Sequence, residues 1–241
     1  MSEVPPLLTD VELMNIHVRA LFAHDAESRL LFVNEPDGPG APAPRLFLGR
    51  TRVGNVWRFR ADLPENLIEE VDLLCANELP MSSEFNEPPR HIERYVRLLE
   101  KHAPVEKVST GPAYCFPENI APSRHAVVMR ENDAEKLKGG FEELVAELPA
   151  WQPFVAIVKD HRAVSVCRSV RITSEAHEAG VETLPEFRGQ GYAKDVAIEW
   201  ANRVRAVGSI PSYSTSWENK ASQAVARKLG LECYGVDFQI L

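Results

Sequence analysis

No apolar run in the 241 residues approaches the roughly 18–20 that span a bilayer. The opening Met1-Ser2-Glu3-Val4-Pro5-Pro6 has neither a basic n-region nor an apolar h-region, so no secretory signal is expected. Cysteine is scarce: Cys75, Cys115, Cys167 and Cys233 lie far apart with no C-x-x-C pair, which favours reduced thiols over a disulfide framework. A basic excess is missing as well. Lys and Arg number 27 against 35 Asp and Glu, a formal net charge of −8, so nucleic acid and anionic membranes are poor partners. The seven histidines show no H-E-x-x-H or H-x-x-x-H spacing, so no metal is expected. Neither G-x-S-x-G nor G-x-x-x-x-G-K-[ST] occurs, which argues against a serine-hydrolase elbow and a Walker-type nucleotide site. With 44% hydrophobic and 26% charged residues, what is present reads as a globular, cytoplasmic chain with a sizeable core.

Organisation along the chain is uneven. Thr9-Asp10-Val11-Glu12 is a capping box that predicts a helix to about Ala26, with Val11, Met14, Val18, Leu21 and Phe22 on one face. The Pro/Gly-rich stretch from Asn34 to Pro44 predicts a loop. Leu46-Phe47-Leu48 and Val56-Trp57-Arg58-Phe59 flank Gly54-Asn55 as a hairpin. Helices are expected after Pro64, carrying Leu67, Ile68, Val71 and Leu74 inward, and from about His91 to Lys101. From about Ala121 the pattern is regular. Strands are expected at 126–129, 154–158, 163–167, 178–184, 212–216 and 234–240, and helices at 134–148, 190–206 and 219–229. That order predicts a mixed-sheet α/β domain over residues 121–241, preceded by an α/β region, 1–120, of unassigned role.

The most informative stretch is Val181-Glu182-Thr183-Leu184-Pro185-Glu186-Phe187-Arg188-Gly189-Gln190-Gly191-Tyr192-Ala193. An apolar strand ends at Pro185 and the chain turns through two glycines straight into a helix. A helix start offers unpaired N–H groups and the positive end of the dipole, which suits a phosphate, and Arg188 adds a cation. The plain alternative is a tight strand-to-helix turn that binds nothing. Lys194 stands where G-x-G-x-x-G needs its third glycine, so a Rossmann site is not indicated.

Arg188-Gly189-Gln190-Gly191-Tyr192-Ala193 resembles the [QR]-x-x-G-x-[GA] acyl-CoA loop of the GNAT acetyltransferase superfamily. Further on, Trp217-Glu218-Asn219-Lys220-Ala221-Ser222, then Ala226-Arg227-Lys228-Leu229-Gly230-Leu231, is similar to that superfamily's second CoA segment. The resemblance covers about Ala121 to Leu241. It implies that Thr183 and Leu184 pair their backbone with the pantetheine arm. It implies that Arg188, Gly189, Gln190, Gly191, Tyr192 and Ala193 hold the pyrophosphate, with Asn219 and Ser222 near the cofactor. Many members carry a tyrosine seven residues after the asparagine, as the acid for the leaving thiolate. Here that position is Ala226, which leaves Tyr213, Ser214 and Ser216 as hydroxyl candidates.

The implied activity is an N-acetyltransferase that uses acetyl-CoA as cosubstrate and no metal. The acceptor, a small-molecule or protein amine, attacks directly in a ternary complex. An alkylamine with a pKa near 10.4 must first lose a proton, so a base is needed. Glu182 is the first candidate and Glu178, on the same strand face by alternation, the second. Trp217 is a candidate for the acceptor pocket, and residues 1–120 are a candidate for the acceptor side. His161 and His177 read as solvated surface residues. The competing class is a non-catalytic acyl-CoA-binding sensor or interaction protein, and a homodimer is left open.

Overall fold

The fold is that of a computed structural model, which describes residues 8–82, 85–123 and 125–241; the Met1–Pro6 segment lies outside them. In chain order the elements are α1 (Asp10–Leu21), β1 (Phe22–His24), β2 (Leu30–Glu35), β3 (Gly38–Pro42), β4 (Leu46–Thr51), β5 (Asn55–Phe59), α2 (Glu65–Ala76), α3 (Ile92–Leu99) and β6 (Val108–Cys115). They continue with β7 (Ala126–Val128), β8 (Phe154–Lys159), β9 (Arg162–Ile172), β10 (Ala176–Thr183), α4 (Tyr192–Ala206), β11 (Ile210–Ser214), α5 (Lys220–Leu229) and β12 (Glu232–Ile240). Contacts divide the chain into two compact units. One holds the described residues up to Phe32, Pro42–Ala113 and Cys233–Leu241; the other holds Val33–Ala41 and Tyr114–Glu232. The last strand thus belongs with the N-terminal elements, and the units do not coincide with a cut at residue 120. Among the described residues, no helix is long and apolar enough to cross a membrane.

In the first unit, β4 pairs antiparallel with β5 and with β12. Leu46, Leu48, Phe238 and Ile240 meet Leu67, Val71 and Leu74 of α2 and Tyr95 and Leu99 of α3 in one apolar cluster. The buried Arg45 closes the end of α3. Its Nη1 donates to Leu99 O (3.0 Å) and Ala103 O (2.6 Å), and its Nη2 to Pro104 O and Leu241 O (both 2.8 Å). A cation at a helix C-terminus also complements the dipole. The capping box at Thr9 and Glu12 is present, yet α1 stops at Leu21 rather than near Ala26. Phe22 takes an extended backbone (φ −134°, ψ 146°) and starts β1 at once, with no glycine or proline to announce the stop.

The second unit holds a mixed sheet in the order β11-β10-β9-β8-β7. Every neighbouring pair is antiparallel except β10 with β11, which is parallel. One face packs on α4, whose Val196, Ala197, Trp200, Ala201 and Val204 recur at helical spacing in the core. Two expectations change here. The Asn34–Pro44 loop forms the hairpin β2–β3, with Pro36-Asp37 in its turn. Its prolines, Pro39 and Pro42, sit in a strand at a sheet edge, where a missing N–H costs little. The helix expected over 134–148 is instead two 3₁₀ segments, Glu131–Leu137 and Glu142–Leu144. Gly139 (φ +88°) breaks the run, and the Glu142 carboxylate accepts from Gly139 N (2.6 Å) and Gly140 N (3.0 Å) to start the second segment. The apolar stripe survives, because Leu137, Phe141, Leu144 and Leu148 are all buried.

Candidate active site

The site begins with an irregularity in the β9–β10 ladder. Glu178 pairs with Arg171 but Ala179 pairs with Ser169, so Val170 is an extra residue on β9. Its side chain crosses the next position on β10, where a Cβ on Gly180 would lie 2.3 Å from Val170 Cγ1. A bulge bends its strand and increases local twist. On the other edge of β10, pairing with β11 covers Ala176–Glu178 against Ile210–Ser212 and goes no further. Beyond Glu178 the two parallel strands part. The backbone from Ala179 to Thr183 then faces a cleft of ≈ 650 Å³ lined by Ala179, Val181, Thr183, Tyr213 and one face of α5.

At the far end of β10 a 3₁₀ turn, Pro185–Phe187, leads into the loop. Arg188 folds back, its Nε donating to Thr183 O (3.2 Å). Gly189 (φ +79°) and Gly191 (φ +87°) take left-handed backbone conformations, and a Cβ on either would meet nothing within 4 Å. Both glycines are therefore required by conformation rather than by packing. Gly191 is the N-cap of α4 and supplies no side-chain cap. The first bonded donor of the helix is Lys194 N, to Gly191 O (3.0 Å), so the N–H groups of Gly189 through Ala193 have no partner among the described residues. A row of unused donors at a helix start is an anion site in its elementary form.

Across the cleft, Asn219 caps α5, its Oδ1 accepting from Ser222 N (3.0 Å). Ser222 Oγ lies 2.6 Å from Tyr213 Oη, which also donates to Ser222 O (3.3 Å). Tyr213 is 2% exposed, and burial pushes its phenol up to about 12. Ala226 is fully buried in the core beside α4, and no tyrosine occupies α5. Ser214 lines the cleft, whereas Ser216 does not and accepts through Oγ from Asn219 N (3.2 Å).

The two carboxylates of β10 differ in setting. Glu182 lines the cleft with its side chain 45% exposed, and Arg168 Nη1 donates to its Oε1 (2.6 Å). Glu178 is buried, does not line the cleft, and accepts through Oε2 from Ser212 Oγ (2.7 Å) at the last β10–β11 pair. Trp217 is half-buried and lies outside the cleft lining; its carbonyl accepts from Gln223 Nε2 (2.8 Å). His177 is not a surface residue. It is buried, its Nδ1 sits 3.0 Å from Ser169 Oγ, and burial lowers its pKa. Both faces of β10 are covered there, Ala176 through Ala179 all being buried, which its place beside the strand start did not suggest.

Sequence reasoning missed Arg168, which joins Glu182 to Glu147 (2.8 Å) over the Trp151 ring. A lone arginine after the apolar Ala163-Val164-Ser165-Val166-Cys167 was the available signal. It missed Ser165, whose Oγ lies 2.8 Å from Thr183 Oγ1, and the cleft-lining Lys194 and Lys228.

Residues 153–235 match the sequence model of the GNAT acetyltransferase family. No curated protein matches the chain. Among solved structures, one from Novosphingobium aromaticivorans, assigned to the GNAT family, is 17% identical with a TM-score of 0.46, covering 56% of this chain. This chain spans 65% of that protein's length. A GCN5-related N-acetyltransferase-like protein from Streptococcus suis is also 17% identical, with 87% of each chain covered and a TM-score of 0.46. One from Sphaerobacter thermophilus, a GCN5-related N-acetyltransferase, is 13% identical, with 87% of this chain and 78% of that chain covered and a TM-score of 0.45. By the match over 153–235, the C-terminal half of the chain carries a GNAT acetyltransferase domain.

Proposed function

We propose that the protein transfers the acetyl group of acetyl-CoA to a primary amine, by direct attack in a ternary complex. One observation carries this: the opening between β10 and β11 leads from a buried phenol to a loop of unused backbone donors. A long ligand with a reactive end and an anionic end fits that polarity. Acetyl-CoA supplies the thioester carbon that the amine attacks. Thr183 and Leu184 offer backbone to the pantetheine arm as an added strand would. Gly189, Gln190, Gly191, Tyr192 and Ala193 present N–H groups to the pyrophosphate, and Arg188 holds the loop against Thr183. Asn219 fixes the start of α5, and Ser222 orients the Tyr213 hydroxyl. Tyr213 keeps its proton at neutral pH and gives it to the departing thiolate. Glu182, with Oε1 held by Arg168, takes the proton of the incoming amine, directly or through water.

Calorimetric titration with acetyl-CoA, with free CoA as control, tests this first. Micromolar binding is expected, and a screen of amine acceptors follows. Failure to bind either ligand would end the proposal. The buried Ala226 at the usual tyrosine position favours one second reading, an acyl-CoA-binding protein without turnover. Consumption of the thioester with an amine present separates the two.

Gly191→Val is expected to abolish acetyl-CoA binding. It also costs about 1–2 kcal/mol of stability, because a non-glycine residue is strained at φ +87°. Titration and a thermal melt read the two effects, and wild-type affinity in the variant would clear the loop of any role. Glu182→Gln should slow turnover about tenfold, below the usual 10²–10⁴ for a general base because Arg168 already engages one oxygen. Acetyl-CoA affinity should be unchanged and the acidic limb of the pH–rate profile lost. Identical profiles would remove Glu182 as the base.

A further inference from the structure

The charges lining the cleft run against those of the chain. In a protein of formal net charge −8, the lining holds three cations, Arg188, Lys194 and Lys228, and one carboxylate, Glu182. That carboxylate is paired with Arg168, which it shares with Glu147 and which is not part of the lining. Of the other cations in the same unit, Arg162 pairs with Glu186, Arg203 with Glu199, Lys136 with Asp133 and Lys138 with Glu135, whereas Arg130, Lys159, Lys220 and Arg227 are in no ion pair among the described residues and lie outside the cleft lining. None of Arg188, Lys194 and Lys228 is in an ion pair among the described residues. Uncompensated charge of one sign in a cleft raises the local concentration of the opposite sign.

The loop alone is matched to one pyrophosphate, through its five N–H groups, the start of α4 and Arg188. Lys194 and Lys228 are in excess of that need. They stand on different helices, Lys194 in the first turn of α4 and Lys228 in the last turn of α5. We infer that these two lysines form a second anionic subsite, which selects a donor carrying a phosphomonoester in addition to its pyrophosphate. On the function proposed above, the selected group is the 3′-phosphate of CoA, and the protein discriminates against the dephosphorylated donor. A dianionic monoester bound by two ammonium groups is a charge-assisted contact that screening by salt weakens.

Calorimetric titration of wild type, Lys194→Ala, Lys228→Ala and the double variant with acetyl-CoA and acetyl-3′-dephospho-CoA tests this. Wild type should prefer acetyl-CoA by about tenfold, each single variant losing about threefold of that preference and the double variant nearly all of it. Affinity for the dephosphorylated donor should stay constant across all four proteins, which also shows that the variants are folded. The preference should shrink as salt is raised. A preference retained in the double variant, or both donors weakened alike, overturns the subsite. If neither donor binds wild type, the acetyl-CoA function itself fails. Equal tight binding of both donors by wild type overturns the subsite alone.

Discussion

Tyr213→Phe is expected to lower kcat by about 10²-fold while leaving acetyl-CoA affinity unchanged, since a positioned proton donor contributes 10²–10⁴ and a thiolate needs it least. The phenol touches the cleft, is held by Ser222 Oγ at 2.6 Å, and burial raises it to about 12, so it is protonated at neutral pH. Ser222→Ala removes the partner but not the acid and should cost less. The same shift has a stability consequence whose sign can be worked out. An unfolded tyrosine ionises near pH 10, whereas the folded one holds its proton to about 12. The folded state therefore binds more protons between those values, and stability falls as pH rises through that window. The phenylalanine variant should lack that loss. A kcat within twofold of wild type would assign the proton to another group, Ser214, Thr215 and Ser222 being further hydroxyls in the cleft lining.

Arg45→Met should destabilise the protein by about 3 kcal/mol, the scale for removing one partner of a buried charged network. Four carbonyl oxygens, those of Leu99, Ala103, Pro104 and Leu241, converge on one guanidinium that is 2% exposed. Methionine fills much of the volume but leaves all four without their donor, and each buried acceptor so orphaned costs free energy. A shift of the urea midpoint at constant m-value reads the effect. A loss below about 1 kcal/mol would mean that water reaches these carbonyls in the variant, so that their bonds to Arg45 add little.

Periodic segments and residues with fixed local chemistry were legible in the sequence. The capping box at Thr9 and the cap at Asn219 depend on side chains within three residues of the backbone they serve, so spacing alone reveals them. The turn through Asp160 and His161, both at positive φ, joins β8 and β9 where the two apolar runs meet. The glycine loop was legible because two glycines in three residues mark a turn into a helix, and Gly189 and Gly191 both take left-handed backbone there. What stayed hidden depends on pairing between distant residues. Val170 is an ordinary strand valine until Ser169 and Arg171 are matched against Ala179 and Glu178. Alternation places Glu178 and Glu182 on one face, but not one in the cleft and the other buried against Ser212. Arg168 and Glu147 come together across 21 residues, and no local pattern records that. The membership of β12 in the first unit is of the same kind, since only its ladder with β4 discloses it.

The opening between β10 and β11 rests on arithmetic more than on chemistry. Where the β10–β11 pairing stops, β9 carries one surplus residue against β10, and any side chain of moderate size at position 170 leaves that surplus in place. Substitutions throughout the cleft can thus drift without closing it, which frees the acceptor side to change its chemistry. Insertions and deletions are another matter. Losing one residue between Arg162 and Val170 would even the count, set the strands back in step and reverse the faces of the side chains between the edit and position 170. Selection on this domain should therefore tolerate exchange along β9 and β10 and reject changes of length there.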